Sequence, residues 1–304
     1  MKPFAITTGE TMTLAPAWWS PLVLRLSALW QLSKPRVTLL VWLSALAAMW
    51  LPSQPVSLWR FLATAAGVWL VVAAANGWNQ VLERRYDAQM PRTARRPIPS
   101  GKVTPVEAAV ISTLWGISGV LILWYGTNPL TTLLGALALV TYVLVYTPAK
   151  RWTAWCTVIG AVPGAIPPVM GWTAMDGGLG WEAGLLFGVQ FLWQFPHFWA
   201  IAWKYRQDYR QAGFRLVPFD DEEGKRVGAA MLAATVLLLI VSLVPVSAGW
   251  RTVWYGLGAM ALGGWMTRSV LGFLRQRDHR SALKVMLTSL GYLPLWFILM
   301  ILTR

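Results

Sequence analysis

Apolar residues run along this chain in nine blocks, near 33–51, 58–82, 104–125, 129–147, 154–173, 181–203, 227–248, 251–272 and 284–302. Most approach the ~20 residues that a helix needs to cross a bilayer. The pattern predicts an all-α, polytopic membrane protein of about nine transmembrane helices. Residues 1–32 read as an amino-terminal cytoplasmic tail of low information, with Trp18, Trp19 and Trp30 as interfacial anchors, and residues 33–304 as one intramembrane domain. The first strongly apolar run begins near Val37, too deep for a signal peptide, although Ala45-Leu-Ala47 resembles a cleavage site. The third block opens with Thr104-Pro105-Val-Glu107, an N-cap, a proline at the first helical position and a Glu placed for a capping box.

Composition agrees with the pattern. Hydrophobic residues make up 56% of the chain, charged residues 12%, and there are 21 Trp, too apolar a balance for an ordinary soluble domain. The net charge of +14 suggests nucleic acid at first sight, but the cations sit in short blocks between apolar runs, as membrane topology requires. On a nine-helix count, 23 of the 26 Lys and Arg residues fall on one side, leaving Arg60, Arg251 and Arg304 on the other. That bias places the amino terminus in the cytoplasm and the carboxyl terminus outside, in a bacterial plasma membrane. Cys156 is the sole cysteine, which excludes an internal disulfide and any multi-cysteine metal site.

Where the second block runs out into charge, the chain reads Asn76-Gly-Trp-Asn-Gln-Val-Leu-Glu-Arg-Arg-Tyr-Asp-Ala-Gln-Met-Pro-Arg-Thr-Ala-Arg-Arg-Pro97. At about 100° per residue, Asn76, Asn79, Gln80, Glu83 and Asp87 share an arc of roughly 100°. Glu83 and Asp87 are four apart, so both can close on one hard cation such as Mg²⁺, and the amides one turn deeper can add oxygen ligands or fix the carboxylates. Beyond Pro91 come Arg92, Arg95 and Arg96, whose guanidiniums match phosphate oxygens. Carboxylates for a metal beside arginines for phosphate make a diphosphate site. The alternative is a solvated helix end whose arginines anchor the membrane interface. Lys150 and Arg151, after the fourth block, extend that clamp or serve only as topology determinants.

The fifth block carries Gly160, Pro163, Gly164, Pro167, Pro168 and Gly171, which predicts a thin, kinked helix built for close packing or for a bulky substrate. The sixth ends in Phe195-Pro196-His197-Phe198-Trp199 and continues through Lys204 to Asp208. His197, Lys204 and Asp208 fall near one helical face as a second polar site, though His197 also fits a hydrogen-bonded structural role and Lys204–Asp208 a plain i,i+4 ion pair. The acidic run Asp220–Glu223 reads as solvated, and the last three blocks as scaffold.

Several separated blocks within residues 33–218 resemble the UbiA-type prenyltransferase superfamily. Leu32-Ser-Lys-Pro-Arg-Val-Thr38 is similar to that family's entry to its first helix, and Asn79-Gln-x-x-Glu83-x-x-x-Asp87 with Arg92 and Arg96 to its diphosphate and magnesium motif. Tyr146-Thr-Pro-x-Lys150-Arg151 and Gly160-x-x-x-Gly164-x-x-Pro167-Pro168 resemble its central blocks. Pro196-His197-Phe198-Trp199 with Asp208-Tyr209 resembles the block that sets its haem-modifying branch apart. The chain departs from the pattern in Glu83, where many members carry Asp, and in Lys204, where many carry a second acid before Asp208.

The resemblance implies helices bundled around a central cavity opening to the cytoplasmic side. It implies farnesyl diphosphate and haem B as substrates and Mg²⁺ as the cofactor. Its catalytic residues would be Asn79, Glu83, Asp87, Lys204 and Asp208, with Glu83 and Asp87 on the metal. Arg92, Arg96, Lys150 and Arg151 would bind diphosphate, and His197 and Trp199 would meet haem. Trp78 or Trp199 would face an allylic cation. A haem A synthase or oxidase assembly proteins are the partners it suggests, besides the lipid bilayer. A sibling acting on a quinone precursor, and a non-catalytic haem carrier, are the competing functions.

Overall fold

The computed structural model describes residues 20–216 and 221–303, and within them it is helical with no strand. In chain order the helices are α1 (Ser20–Leu32), α2 (Pro35–Ala48), α3 (Leu58–Asp87), α4 (Pro105–Gly126) and α5 (Pro129–Val140). A π-helical stretch (Thr141–Tyr146) joins α5 to α6 (Thr147–Trp152), and α7 (Cys156–Asp176), α8 (Trp181–Lys204), α9 (Arg206–Gln211), α10 (Lys225–Ser247), α11 (Val253–Gln276) and α12 (His279–Leu302) follow. Among the described residues six segments are long and apolar enough to span a membrane: α3, α4, α5 through α6, α7, α10 and α12. Helices α8 and α11 have the length, 24 residues each, but glutamines, glycines and tryptophans dilute their hydropathy. At 14 residues α2 rises only about 21 Å, short of a bilayer core of about 30 Å.

The bundle closes into a ring. Helix α3 lies along α4, α7 packs between α2, α5 and α8, α8 meets α10 and α12, and α12 touches α2. The prolines and glycines of α7 do buy close approach: a Cβ on Gly171 would overlap the Ala45 carbonyl oxygen of α2, so only hydrogen fits there. The largest core joins α7, α8, α10, α11 and α12 around Trp193, Trp203, Tyr255, Tyr292 and Trp296. Two of the phenol and indole groups at this depth are satisfied within the bundle, as a medium without water favours. Tyr255 Oη donates to the Ser242 carbonyl at 2.6 Å, and Trp296 Nε1 donates to Tyr255 Oη at 2.9 Å. The last three helices are thus more polar inside than a plain scaffold.

Three local expectations change. Residues 20–32, read as tail, form α1, whose Ala28 and Leu32 are buried in a cluster with Val81, Ile98 and Ala108. Trp30 stacks on Trp69 at 5.5 Å, whereas Trp18 and Trp19 lie outside the described residues. Thr104 does cap α4, accepting from the Glu107 amide at 3.2 Å. The Glu107 carboxylate, however, pairs with Arg25 of α1 at 2.6 Å instead of closing a capping box. In the acidic run, Asp220 lies outside the described residues, and Asp221 is buried, accepting from the amides of Gly224 and Val227 at 3.0 and 2.8 Å to cap α10. Among the described residues of the run, Glu222 and Glu223 are exposed, beside Arg210 and Lys225.

Candidate active site

The polar stripe of α3 faces inward, with Asn76, Asn79, Gln80, Glu83 and Asp87 all buried. Its inner half secures the joint between α1 and α2. Gln80 Nε2 donates to the Leu32 carbonyl at 2.6 Å, and Asn76 Nδ2 donates to Thr38 Oγ1 at 3.0 Å. Lys34 fills the joint in the left-handed conformation (φ 51°, ψ 62°), a strained choice for a residue with a side chain. That turn aims its ammonium across to Asn79, and Nζ donates to Oδ1 at 2.6 Å. Thr147 Oγ1 donates to the Tyr142 carbonyl at 2.9 Å and so can only accept from Asn79 Nδ2, at 3.2 Å. The orientation of the Asn79 amide is thereby fixed.

One and two turns further, the acids meet cations from two other chain regions. Lys150 Nζ of α6 lies 2.8 Å from Glu83 Oε1, and Arg96 Nη1 donates to both oxygens of Asp87 at 2.8 and 2.7 Å. Thr93 Oγ1 donates to the Asp87 carbonyl at 2.8 Å, folding the arginine loop back onto the end of α3. Lys150 also lies 4.6 Å over the Tyr146 ring, and Tyr146 tilts against Tyr142 at 5.0 Å. The structure brings together Asn79, Glu83, Asp87, Arg96 and Lys150, and adds Lys34, which the sequence places in the entry to the first helix with no role at this site.

Arg92 and Arg151 sit at the rim instead. Arg92 lies over the rings of Tyr205 and Tyr209, at 4.8 and 5.4 Å, and donates to Tyr209 Oη at 2.6 Å. Arg151 donates to Tyr86 Oη at 3.2 Å and is exposed. The Arg215 amide donates to the Lys150 carbonyl at 2.9 Å, which ties the segment after α9 to α6, while Arg92 ties the loop after α3 to Tyr209 of α9. A cavity of about 490 Å³ opens there, lined in part by Trp152, Trp155, Arg206, Tyr209 and Arg215. Neither Glu83 nor Asp87 lines it.

The second predicted polar site comes apart. Helix α8 ends at Lys204 and the chain bends at Tyr205 (φ −110°, ψ 24°) before α9, so His197, Lys204 and Asp208 do not share one helical face. No Lys204–Asp208 ion pair exists among the described residues, and Lys204 lies 5.1 Å from the Tyr205 ring centroid. His197 is buried on α8, stacked on Trp193 at 5.1 Å with its Nδ1 2.7 Å from Ser289 Oγ of α12. Trp199 is buried in the main core against Phe195, at 5.1 Å. Trp78 is on the side of α3 away from the acids, packed in the cluster that holds Leu32 and Ile98, so it faces no reaction at the acid stripe.

A family model described as the UbiA prenyltransferase family matches residues 40–298. The chain belongs to the UbiA prenyltransferase family. Among curated members, the protoheme IX farnesyltransferase of Solibacter usitatus is 39% identical, over 90% of this chain and 97% of its own. That of Opitutus terrae is 42% identical, over 87% and 90%. The UbiA fold is also seen in solved structures. A membrane digeranylgeranylglyceryl phosphate synthase aligns with TM-score 0.76 at 16% identity, covering 92% of this chain and 98% of its own. A UbiA homologue from Archaeoglobus fulgidus bound to GPP and Mg²⁺ aligns with TM-score 0.63 at 13% identity, over 90% and 99%. At those identities the two solved structures speak for the fold alone.

Proposed function

We propose that this integral membrane protein transfers a farnesyl group from farnesyl diphosphate to the 2-vinyl group of protoheme IX. The observation that carries the site is the carboxyl-terminal end of α3, where two buried carboxylates four residues apart are each paired with a cation suited to phosphate. Support for farnesyl and haem as the substrates comes from the names of relatives that match this chain over most of its length.

The donor set suits Mg²⁺. Glu83 and Asp87 supply two hard anionic oxygens, and Gln80 on the same helix face has a buried Oε1 with no hydrogen-bond partner among the described residues. When bound, Mg²⁺ supplies charge neutralisation to the diphosphate as it departs. The side chains do the rest. Arg96 and Lys150 turn from the acids to the phosphate oxygens, Lys34 adds a third cation, and Arg92 closes the rim. The farnesyl C1–O bond breaks, diphosphate leaves with the bonding pair, and an allylic cation forms; the Tyr146 ring beside Lys150, with Tyr142 against it, suits a cation. The terminal vinyl carbon attacks farnesyl C1, and water adds to the resulting porphyrin-side cation with loss of one proton. The product carries a hydroxyethylfarnesyl group.

This polar end faces the cytoplasm, as the distribution of basic residues indicates. Mass spectrometry of haem extracted from cells expressing the chain tests the proposal. A farnesyl-bearing haem is expected, and unmodified haem alone beside a prenylated quinone precursor would assign a different acceptor.

A further inference from the structure

Ser289 lies on α12 and is fully buried, in a stretch that the sequence marks only as scaffold. It makes two contacts with α8. Its carbonyl accepts from Trp193 Nε1 at 2.6 Å, and its Oγ lies 2.7 Å from His197 Nδ1. The same hydroxyl donates to the Met286 carbonyl at 2.7 Å. A hydroxyl has one proton, and a carbonyl can only accept, so that proton is committed to Met286. With the hydroxyl proton on Met286, His197 Nδ1 meets a lone pair on Ser289 Oγ and is the donor. Inside a membrane span a neutral ring is cheaper than a charged one, so Nε2 is left unprotonated. Stacking on Trp193, itself tied to the Ser289 carbonyl, fixes the plane of the ring.

We infer that Ser289 is a positioning residue that holds His197 as the Nδ1–H tautomer and presents the Nε2 lone pair to an iron porphyrin. A histidine that ligates metal through one nitrogen characteristically donates the other N–H to an oxygen, and removing that oxygen weakens metal binding about tenfold to a hundredfold. Ser289 gives His197 this arrangement before any porphyrin arrives. The ligand half of the inference rests on haem being the acceptor; the tautomer half does not.

The two halves are tested separately. The chain has two histidines, so His279→Gln leaves His197 alone for ¹⁵N-histidine NMR of the ligand-free protein in nanodiscs. A protonated Nδ1 with a pyridine-like Nε2 is expected; a protonated Nε2 would overturn the assignment whatever the enzyme's substrate. For the ligand half, haem B is titrated into the full chain and its absorption spectrum followed. Ser289→Ala should weaken binding about tenfold or more, and Ser289→Thr, which keeps the hydroxyl, should restore it. In a His197→Ala background the same Ser289→Ala change should cost nothing further. An equal loss in both backgrounds would make Ser289 a packing residue and overturn its role through His197. Pyrophosphate binding at the acid stripe, measured on the same samples, reports separately on the prenyl donor site.

Discussion

Asp87 and Arg96 are joined by two hydrogen bonds of 2.7 and 2.8 Å, so both oxygens of a carboxylate suited to a metal are already engaged by a guanidinium suited to phosphate. One turn away Glu83 is paired more simply, by a single ammonium, Lys150 Nζ, 2.8 Å from its Oε1. Each acid is thus neutralised by the cation that diphosphate would draw off. Cation and anion should then bind together. Hydrogen bonds to charged groups are worth about 1.5–3 kcal/mol, so displacing Arg96 without an anion to receive it should weaken Mg²⁺ about tenfold to a hundredfold. Calorimetry of Mg²⁺ with and without pyrophosphate checks this; equal affinity in both titrations would show that the pairs impose no such coupling.

Lys34 combines a charge with an unfavourable backbone conformation, and two substitutions separate them. Lys34→Ala and Lys34→Gly should lower pyrophosphate affinity alike, since both remove the ammonium on Asn79. Glycine tolerates φ 51° where alanine pays about 1–2 kcal/mol, so the glycine variant should unfold at the higher temperature. Thermal melts of the two variants against the parent decide the point.

Tyr209 anchors Arg92 by a hydrogen bond of 2.6 Å across 117 residues of sequence. Tyr209→Phe removes that bond and keeps the ring. The loss, about 1 kcal/mol, should raise KM for farnesyl diphosphate about fivefold with little change in kcat. An unchanged KM would mean that Arg92 needs no anchor there.

Which parts of this site the chain announces depends on distance along it. Glu83, Asp87 and Arg96 are visible because one helix period and one short loop bring them together, and their residue types name the chemistry; Arg92, in the same loop, ends at the rim on Tyr205 and Tyr209. Lys150 is visible as a cation, but its pairing with Glu83 requires knowing that α6 folds back to α3. Lys34 is hidden for a sharper reason: its left-handed turn falls on a lysine, with no glycine or asparagine to signal it. The break at Tyr205 is hidden in the same way, with neither proline nor glycine at the bend, so periodicity carried Lys204 and Asp208 onto a face that α8 does not have. Ser289 offers no signal at all. A serine in an apolar helix ordinarily bonds its own backbone, and this one does so while also accepting from His197.

The thinness of α7 was legible, and its cost can be measured. In Gly171→Ala the new methyl overlaps the Ala45 backbone, which no rotamer change relieves. Destabilisation of about 1–3 kcal/mol is expected, read as a lower unfolding temperature in detergent. A melt identical to the parent's would show that α2 and α7 can separate at this point without loss.

The buried acids of α3 are tested most directly by turnover of Asp87→Asn, which keeps the shape of the side chain and removes its charge. Haem B and farnesyl diphosphate at saturation, with Mg²⁺ in excess, should give a rate about a hundredfold or more below the parent's. Farnesyl transfer within a few-fold of the parent, about the span of ordinary surface substitutions, would contradict a metal-holding role for Asp87.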